Sequence, residues 1–157
     1  MLFAKKKSNL LAVANGRAIP LSNVPDEAFS TGLLGQGFAI DPSDGTICSP
    51  AAGCLQTISE SKHAYTISTD DGLDLLIHIG IDSVALKGEG FASLCKAGDP
   101  LKAGDALVKV DLALLEARNI PCVIPVVVTN PEYLQDIDFT YGPTERGKSE
   151  VMHYRLG

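Results

Sequence analysis

The sequence predicts an all-β fold, a sandwich or barrel built from short strands. Three observations carry this expectation. Brief apolar, often β-branched runs recur at intervals of roughly 8–12 residues. Turn formers separate them, with 15 glycines and 9 prolines among 157 residues. One stretch, 63–79, alternates apolar and polar residues on either side of an Asp-Asp-Gly turn.

In chain order, Lys5-Lys6-Lys7 opens a polar lead, read as mobile over residues 1–11. The apolar stretch after it is too short for a secretory signal, so the cytoplasm is the expected location. A single domain is expected over 12–157. Ala12-Val13-Ala14 is the first candidate strand, ended by Asn15-Gly16, and Arg17–Leu21 the next. Pro25–Phe29 reads as one helical turn with proline near its start. Gly35–Ile40 is a short strand, and Asp41-Pro42-Ser43-Asp44-Gly45 is a strong turn signal. Thr46–Cys48 and Gly53–Ile58 are strands split by Pro50, and His63–Thr69 and Leu73–Ile79 form a hairpin around Asp70-Asp71-Gly72.

Gly88–Phe91 is a turn. Ala-Gly-Asp recurs at 97–99 and 103–105, each time leading toward a strand, the second being Leu107–Val110. Asp111 is a fitting N-cap for a helix reaching Arg118. Cys122–Thr129 is a buried strand, Asn130–Tyr133 a turn, and Val151–Arg155 the final strand. His153, on that strand, is expected to be an exposed side chain without a role.

Composition excludes several functions. The chain carries 13 basic and 19 acidic residues, a formal charge of −6, which disfavours nucleic acid and tolerates a basic protein partner. No apolar run approaches the roughly 20 residues of a membrane span. Cys48, Cys54, Cys95 and Cys122 show neither a C-x-x-C pair nor zinc-site spacing with histidine, so free thiols are expected.

The histidines carry the chemistry. With a two-residue Asp70-Asp71 loop, Thr69 pairs with Gly72 and His63 falls directly across from His78; a three-residue loop would slip this register by one. Cross-strand partners have Cβ atoms about 5 Å apart, so the imidazoles would converge. Leu73, Leu75, Ile77 and Ile79 share the core face, which leaves Leu76 and His78 on the other. Two imidazoles so placed suit metal binding, or transfer of an electrophilic group to one ring while the other steadies it. At neutral pH an imidazole is mostly uncharged and can attack.

The run from Thr69 to Phe91, Thr-Asp-Asp-Gly-Leu-Asp-Leu-Leu-Ile-His-Ile-Gly-Ile-Asp-Ser-Val-Ala-Leu-Lys-Gly-Glu-Gly-Phe, closely resembles the signature of the glucose-family enzyme IIA of the bacterial phosphoenolpyruvate-dependent sugar phosphotransferase system. Val24–Phe29, Leu34–Gly37, Ser49–Gly53 and Asp111–Glu116 are similar to further landmarks of that family. The resemblance implies a flattened, barrel-like all-β sandwich of mostly antiparallel strands with short helical turns.

It also implies a phosphocarrier. His78 matches the histidine phosphorylated on Nε2 by the carrier protein HPr, and His63 the second histidine that stabilises the transfer. Ser61 matches a residue whose hydroxyl orients that second ring. Gly80 matches the carbonyl that fixes the first ring's tautomer. The phosphoryl group then passes to a cysteine of enzyme IIB. Phe29, Leu33, Leu34, Leu76 and Val84 match an apolar rim that docks partners and limits hydrolysis. Asp82 matches an acid read as loop-fixing.

No cofactor is required, although His63 and His78 could ligate zinc in a regulatory complex. A phosphorylation-dependent regulatory module on the same fold is the alternative, with its own targets. A zinc hydrolase would need a His-x-His pair, which the chain lacks. The lead before Ala18 and the run Cys48–Gly53 depart from the family pattern. No amphipathic tail is evident, so membrane insertion is not expected.

Overall fold

A computed structural model describes residues 7–157. The strands are β1 (Ser8–Leu11), β2 (Gly16–Pro20), β3 (Gln36–Pro42), β4 (Thr46–Cys48), β5 (Gly53–Ile58), β6 (Ala64–Thr69) and β7 (Asp74–His78). They continue with β8 (Phe91–Ser93), β9 (Pro100–Leu101), β10 (Ala106–Val110), β11 (Ile124–Val128), β12 (Leu134–Phe139), β13 (Gly142–Thr144) and β14 (Glu150–Leu156). Two short helices interrupt them, α1 (Glu27–Ser30) and α2 (Leu112–Ala117).

An eight-stranded sheet runs β13-β2-β3-β11-β7-β6-β5-β9, and two three-stranded sheets run β1-β14-β12 and β4-β10-β8. Every pairing among the described residues is antiparallel. The all-β expectation holds. Among those residues no helix is long and apolar enough to cross a membrane.

The central strand explains its own sequence. β11 lies between β3 and β7 and is buried at all five positions. Ile124, Val126 and Val128 face the main core with Phe38, Tyr65, Leu75 and Ile77. Val127 faces a second, smaller cluster made by Leu21, Val24, Phe29, Ala39, Ile81 and Val123. A strand covered on both faces needs a continuous apolar run rather than alternation. Val127 pairs with Leu76, so this small cluster floors the face from which His78 projects.

Local chemistry fixes the joints. Asp26 caps α1 by accepting from the Ala28 N–H at 2.8 Å, and Asp111 caps α2 by accepting from Leu114 at 3.1 Å. The repeated Ala-Gly-Asp forms two equivalent turns: the carboxylates of Asp99 and Asp105 accept from the N–H groups of Lys96 and Lys102, each at 2.8 Å. They deliver the chain into β9 and β10. All four cysteines are free thiols, and burial pushes Cys48 up to about 11, which keeps it unreactive.

Four expectations require correction. The hairpin loop has three residues, not two. Thr69 N–H donates to the Leu73 carbonyl at 2.8 Å, Gly72 has φ +100°, and the Thr69 hydroxyl accepts from Leu73 N–H at 2.9 Å. The register therefore slips by one, and His78 pairs with Ala64 rather than His63.

The first strand also lies earlier than expected. Residues 1–6 of the lead fall outside the described residues, but Ser8–Leu11 pairs with β14. Ala12, Val13 and Ala14 are buried yet irregular. The N–H groups of Leu11 and Ala12 and the carbonyl of Val13 bond to Pro50, Ser149 and Cys48, alternating between the end of β4 with the segment that follows it and the segment that precedes β14, so no regular ladder forms.

Next, β8, which begins at Phe91 where a turn was read, and β12 and β13 were not expected. β12 carries Asp136 and Asp138 within its six residues. It is an edge strand, where charge deters further pairing and obscures the strand pattern. Last, His153 is largely covered. Its Nδ1 lies 3.0 Å from Asp138 and its Nε2 lies 3.4 Å from Glu150, across β12 and β14.

Candidate functional site

The alternation of β7 sets the first side chain. Leu73, Leu75, Ile77 and Ile79 are buried in the core, so His78 and Leu76 turn to the opposite face. His78 ends the strand, and the chain then bends through Gly80 at φ +78°. The N–H groups of Gly80 and Ile81 donate to the carbonyls of Val123 and Pro121, each at 3.0 Å. The buried Ser83 hydroxyl donates to the Ile79 carbonyl at 2.5 Å. This bend brings the Gly80 carbonyl within 2.7 Å of His78 Nδ1. A carbonyl only accepts, so Nδ1 carries the proton and Nε2 presents a lone pair.

Gly80 is therefore held by its surroundings. A Cβ there would meet the Pro121 carbonyl at 3.0 Å and Leu115 at 3.3 Å, on a backbone that side chains rarely adopt. Gly80→Ala is expected to destabilise the fold by about 1–3 kcal/mol, read as a lower urea midpoint. An unchanged midpoint would show that the bend has slack.

His63 precedes β6 and lies outside the ladder. Its carbonyl accepts from Ile79 N–H at 2.7 Å, which fixes it beside the end of β7. Lys62, at φ +59°, turns the chain into this position. The two rings meet with centroids 5.0 Å apart and planes at 81°. The expected convergence is thus real, although direct cross-strand pairing is not its cause.

The hydroxyl against His63 belongs to Ser59. Its Oγ lies 3.2 Å from His63 Nδ1 and accepts from the backbone N–H groups of His63 and Ala64, each at 3.1 Å. Ser61, expected in that role by resemblance, lies on the intervening turn. The only sequence signal for Ser59 was a serine four residues before a histidine in a turn, a spacing that suits side-chain capping of backbone N–H groups.

The apolar residues divide in two. Phe29 is buried, not part of an exposed rim, and its ring stands 5.3 Å from that of His78. Half-buried Leu76 packs on the same small cluster. Leu33 at 79% exposure, Val84 at 55% and Leu34 at 38% remain open to solvent. Leu33 and Leu34 follow α1, and Val84 sits on the 3-10 turn Ser83–Leu86. Asp82 heads that turn in the left-handed conformation without a side-chain capping bond. Its carboxylate therefore does not fix the loop as expected. It acts on His78 through its charge.

Both imidazoles are pushed below their ordinary 6.5. Burial is the main cause for His78, opposed by the Gly80 carbonyl and the charges of Asp26 and Asp82. For His63 burial comes first, then the nearby His78. Asp26 is a second contribution that sequence reading missed, because its capping role gave no hint of its proximity. As pH falls through 6.5 the unfolded chain takes up protons that these folded rings resist, so stability falls with falling pH. Any activity needing a bare Nε2 is expected to decline with a midpoint below 6.5; a midpoint at or above it in a rate–pH profile would contradict this environment.

The arrangement offers one imidazole with a bare, oriented nitrogen beside a second, less exposed ring on an apolar floor. That is the equipment of a nucleophile and a stabilising neighbour.

Residues 8–134 match the family described as phosphoenolpyruvate-dependent sugar phosphotransferase system, EIIA 1. The PTS system glucose-specific EIIA component of Halalkalibacterium halodurans is 45% identical over 125 residues, 80% of this chain and 72% of that one. The glucose-specific EIICBA component of Staphylococcus saprophyticus is 44% identical over 124 residues, 79% of this chain but 18% of that protein. The structure of glucose permease IIA from Mycoplasma capricolum superposes with a TM-score of 0.87 at 35% identity, covering 98% of this chain and 99% of that one.

These matches place the chain among the components of the sugar phosphotransferase system, with the EIIA β-sandwich fold. Within that system it belongs to the EIIA 1 family, a phosphotransferase component of sugar transport.

Proposed function

We propose that the protein accepts a phosphoryl group from phospho-HPr on Nε2 of His78 and passes it to a cysteine of enzyme IIB. The observation that carries this reading is the 2.7 Å contact between His78 Nδ1 and the Gly80 carbonyl, which leaves Nε2 as the free nucleophile. As Nε2 attacks, the new N–P bond forms while the donor's P–N bond breaks. No proton need leave Nε2, because it carries none. The ring keeps its Nδ1–H and becomes cationic, and the Gly80 carbonyl, Asp26 and Asp82, all of which favour positive charge on His78, stabilise it. Attack by an enzyme IIB thiolate on phosphorus reverses the change: an S–P bond forms, the N–P bond breaks and the ring returns to neutral.

The relative from Staphylococcus saprophyticus, whose name joins components C, B and A, supports a IIB partner. Exposed Leu33, Leu34 and Val84 supply apolar contacts for either partner. Phosphorylation adds roughly two negative charges beside them and suits state-dependent binding of regulatory targets. His63 and His78 amount to two ligands, short of a four-coordinate zinc site, so zinc would need a partner's carboxylate or water to complete it.

The test is intact mass after incubation with phosphoenolpyruvate, enzyme I and HPr. One acid-labile phosphoryl group per chain is expected. No adduct with an active cognate donor would overturn the phosphocarrier reading.

A further inference from the structure

We propose that the groove between α1 and the β12–β13 connection binds a neutral pyranose sugar, and that Phe29 carries its occupancy to His78. The groove lies beside the histidine pair rather than within it, and binding there does not depend on the phosphocarrier reading.

The groove encloses about 320 Å³, at the small end of ligand sites. Leu21 and Phe29, both buried, form its floor. Phe139 and Tyr141 also line it, their rings stacked with centroids 5.6 Å apart and planes 8° from parallel. The Thr140 N–H between them donates to the Val151 carbonyl at 2.7 Å, which anchors the backbone that carries both rings. Tyr141 nevertheless stays 44% exposed. An aromatic surface held in place and left open to water is a platform that a ligand can cover at little entropic cost.

Charge narrows the ligand class. No acidic or basic side chain lines the groove, in a chain of which 20% is charged. Four other surface grooves each carry at least one aspartate or lysine. A phosphate, carboxylate or amine would find no counter-charge here, so the ligand is neutral. Nor is it wholly apolar, because Ser22, Ser30, Thr31 and Gln36 line the same groove. Hydroxyls and carboxamides both donate and accept. Thr31 donates its hydrogen to the Glu27 carbonyl at 2.6 Å, which leaves its lone pairs to accept. At Gly32 a Cβ would meet nothing nearer than the Gly35 carbonyl at 4.0 Å, so the main chain is open to approach. A pyranose matches both halves of this lining. Its ring face presents C–H bonds, which the negative face of an aromatic ring attracts, and its rim presents hydroxyls. An apolar peptide side chain would use the platform and leave the polar groups unmatched.

Phe29 ties the groove to the histidine pair. It lines the groove, and its ring stands 5.3 Å from that of His78. A ligand pressed against Phe29 changes the packing that His78 meets.

Titration of the ¹⁵N-labelled, unphosphorylated protein with D-glucose tests the site, with glycerol at equal mass as the control for crowding and viscosity. The amides of Gly32, Gln36 and Tyr141 should shift saturably with a Kd of about 1–10 mM, as suits a ligand of this size. The His78 ring signals should shift with the same midpoint. Glucose 6-phosphate should bind about 10-fold more weakly, for want of a counter-charge. Tyr141→Ala should weaken glucose binding about 10-fold. Tyr141→Leu, which keeps apolar bulk but has no aromatic face, should lose as much, whereas Tyr141→Trp should retain binding. Retained protection of the Thr140 amide shows that each variant is folded.

Shifts that rise linearly and match those of glycerol would overturn the proposal. So would saturable binding that Tyr141→Leu leaves unchanged, the result expected of a merely apolar contact. Groove amides that saturate while the His78 signals stay fixed would overturn the coupling through Phe29. Binding is read on unphosphorylated protein and phosphoryl acceptance by intact mass, so the failure of either leaves the other standing.

Discussion

His78→Ala is expected to lose phosphoryl acceptance entirely, to the background of the mass measurement. The loss is total because no other ring can take its place. His63 is buried, with the Ser59 hydroxyl 3.2 Å from its Nδ1. His153 is occupied by Asp138 and Glu150 on a different sheet. Nor should the variant unfold. His78 is half-buried, at the end of a strand whose core side chains are untouched, so the cost in stability should stay near 1–2 kcal/mol. His78→Gln sharpens the test, since it retains a polar side chain without a nucleophilic nitrogen. An adduct on either variant at wild-type level would place the phosphoryl group elsewhere and refute the role of His78.

The site was legible where one physical rule dominated. β7 alternates because one face is buried, so the outward direction of His78 followed from leucines and isoleucines alone. β11 followed from its continuous apolar run. The hairpin register did not, because Asp70-Asp71-Gly72 serves equally as a two- or three-residue loop in sequence. Only the positive φ of Gly72 and the Thr69 hydroxyl on Leu73 N–H decide for three. The meeting of the histidines survived that error because His63 sits beyond the ladder, where the turn at Lys62 governs direction. That same turn made Ser59 invisible: resemblance transfers a position, here Ser61, but not the conformation that selects which hydroxyl faces the ring. β12 was hidden by its carboxylates, which belong to an edge, and β1 by a lead whose charges read as solvent-exposed.

His63→Ala should separate the two halves of the reaction. Its phosphoryl adduct should still form at the end point, since Nε2 of His78 and the bond from its Nδ1 to the Gly80 carbonyl are intact. Passage to enzyme IIB should slow by about 100-fold or more, the cost of removing one oriented donor from a developing anionic centre. The effect is large because the donor is already in place and partly shielded from water, so it stabilises charge without reorganising. Loss of the ring also strands the Ser59 hydroxyl, which should cost about 1–3 kcal/mol in stability. Rates must therefore be compared at a temperature where both proteins are folded. His63→Gln, which can return an N–H to the site, should recover part of the passage rate without any titration near neutral pH. Relay by His63→Ala at the wild-type rate would reduce His63 to packing. A slowed relay that His63→Gln partly restores would assign the effect to the N–H rather than to the shape of the ring.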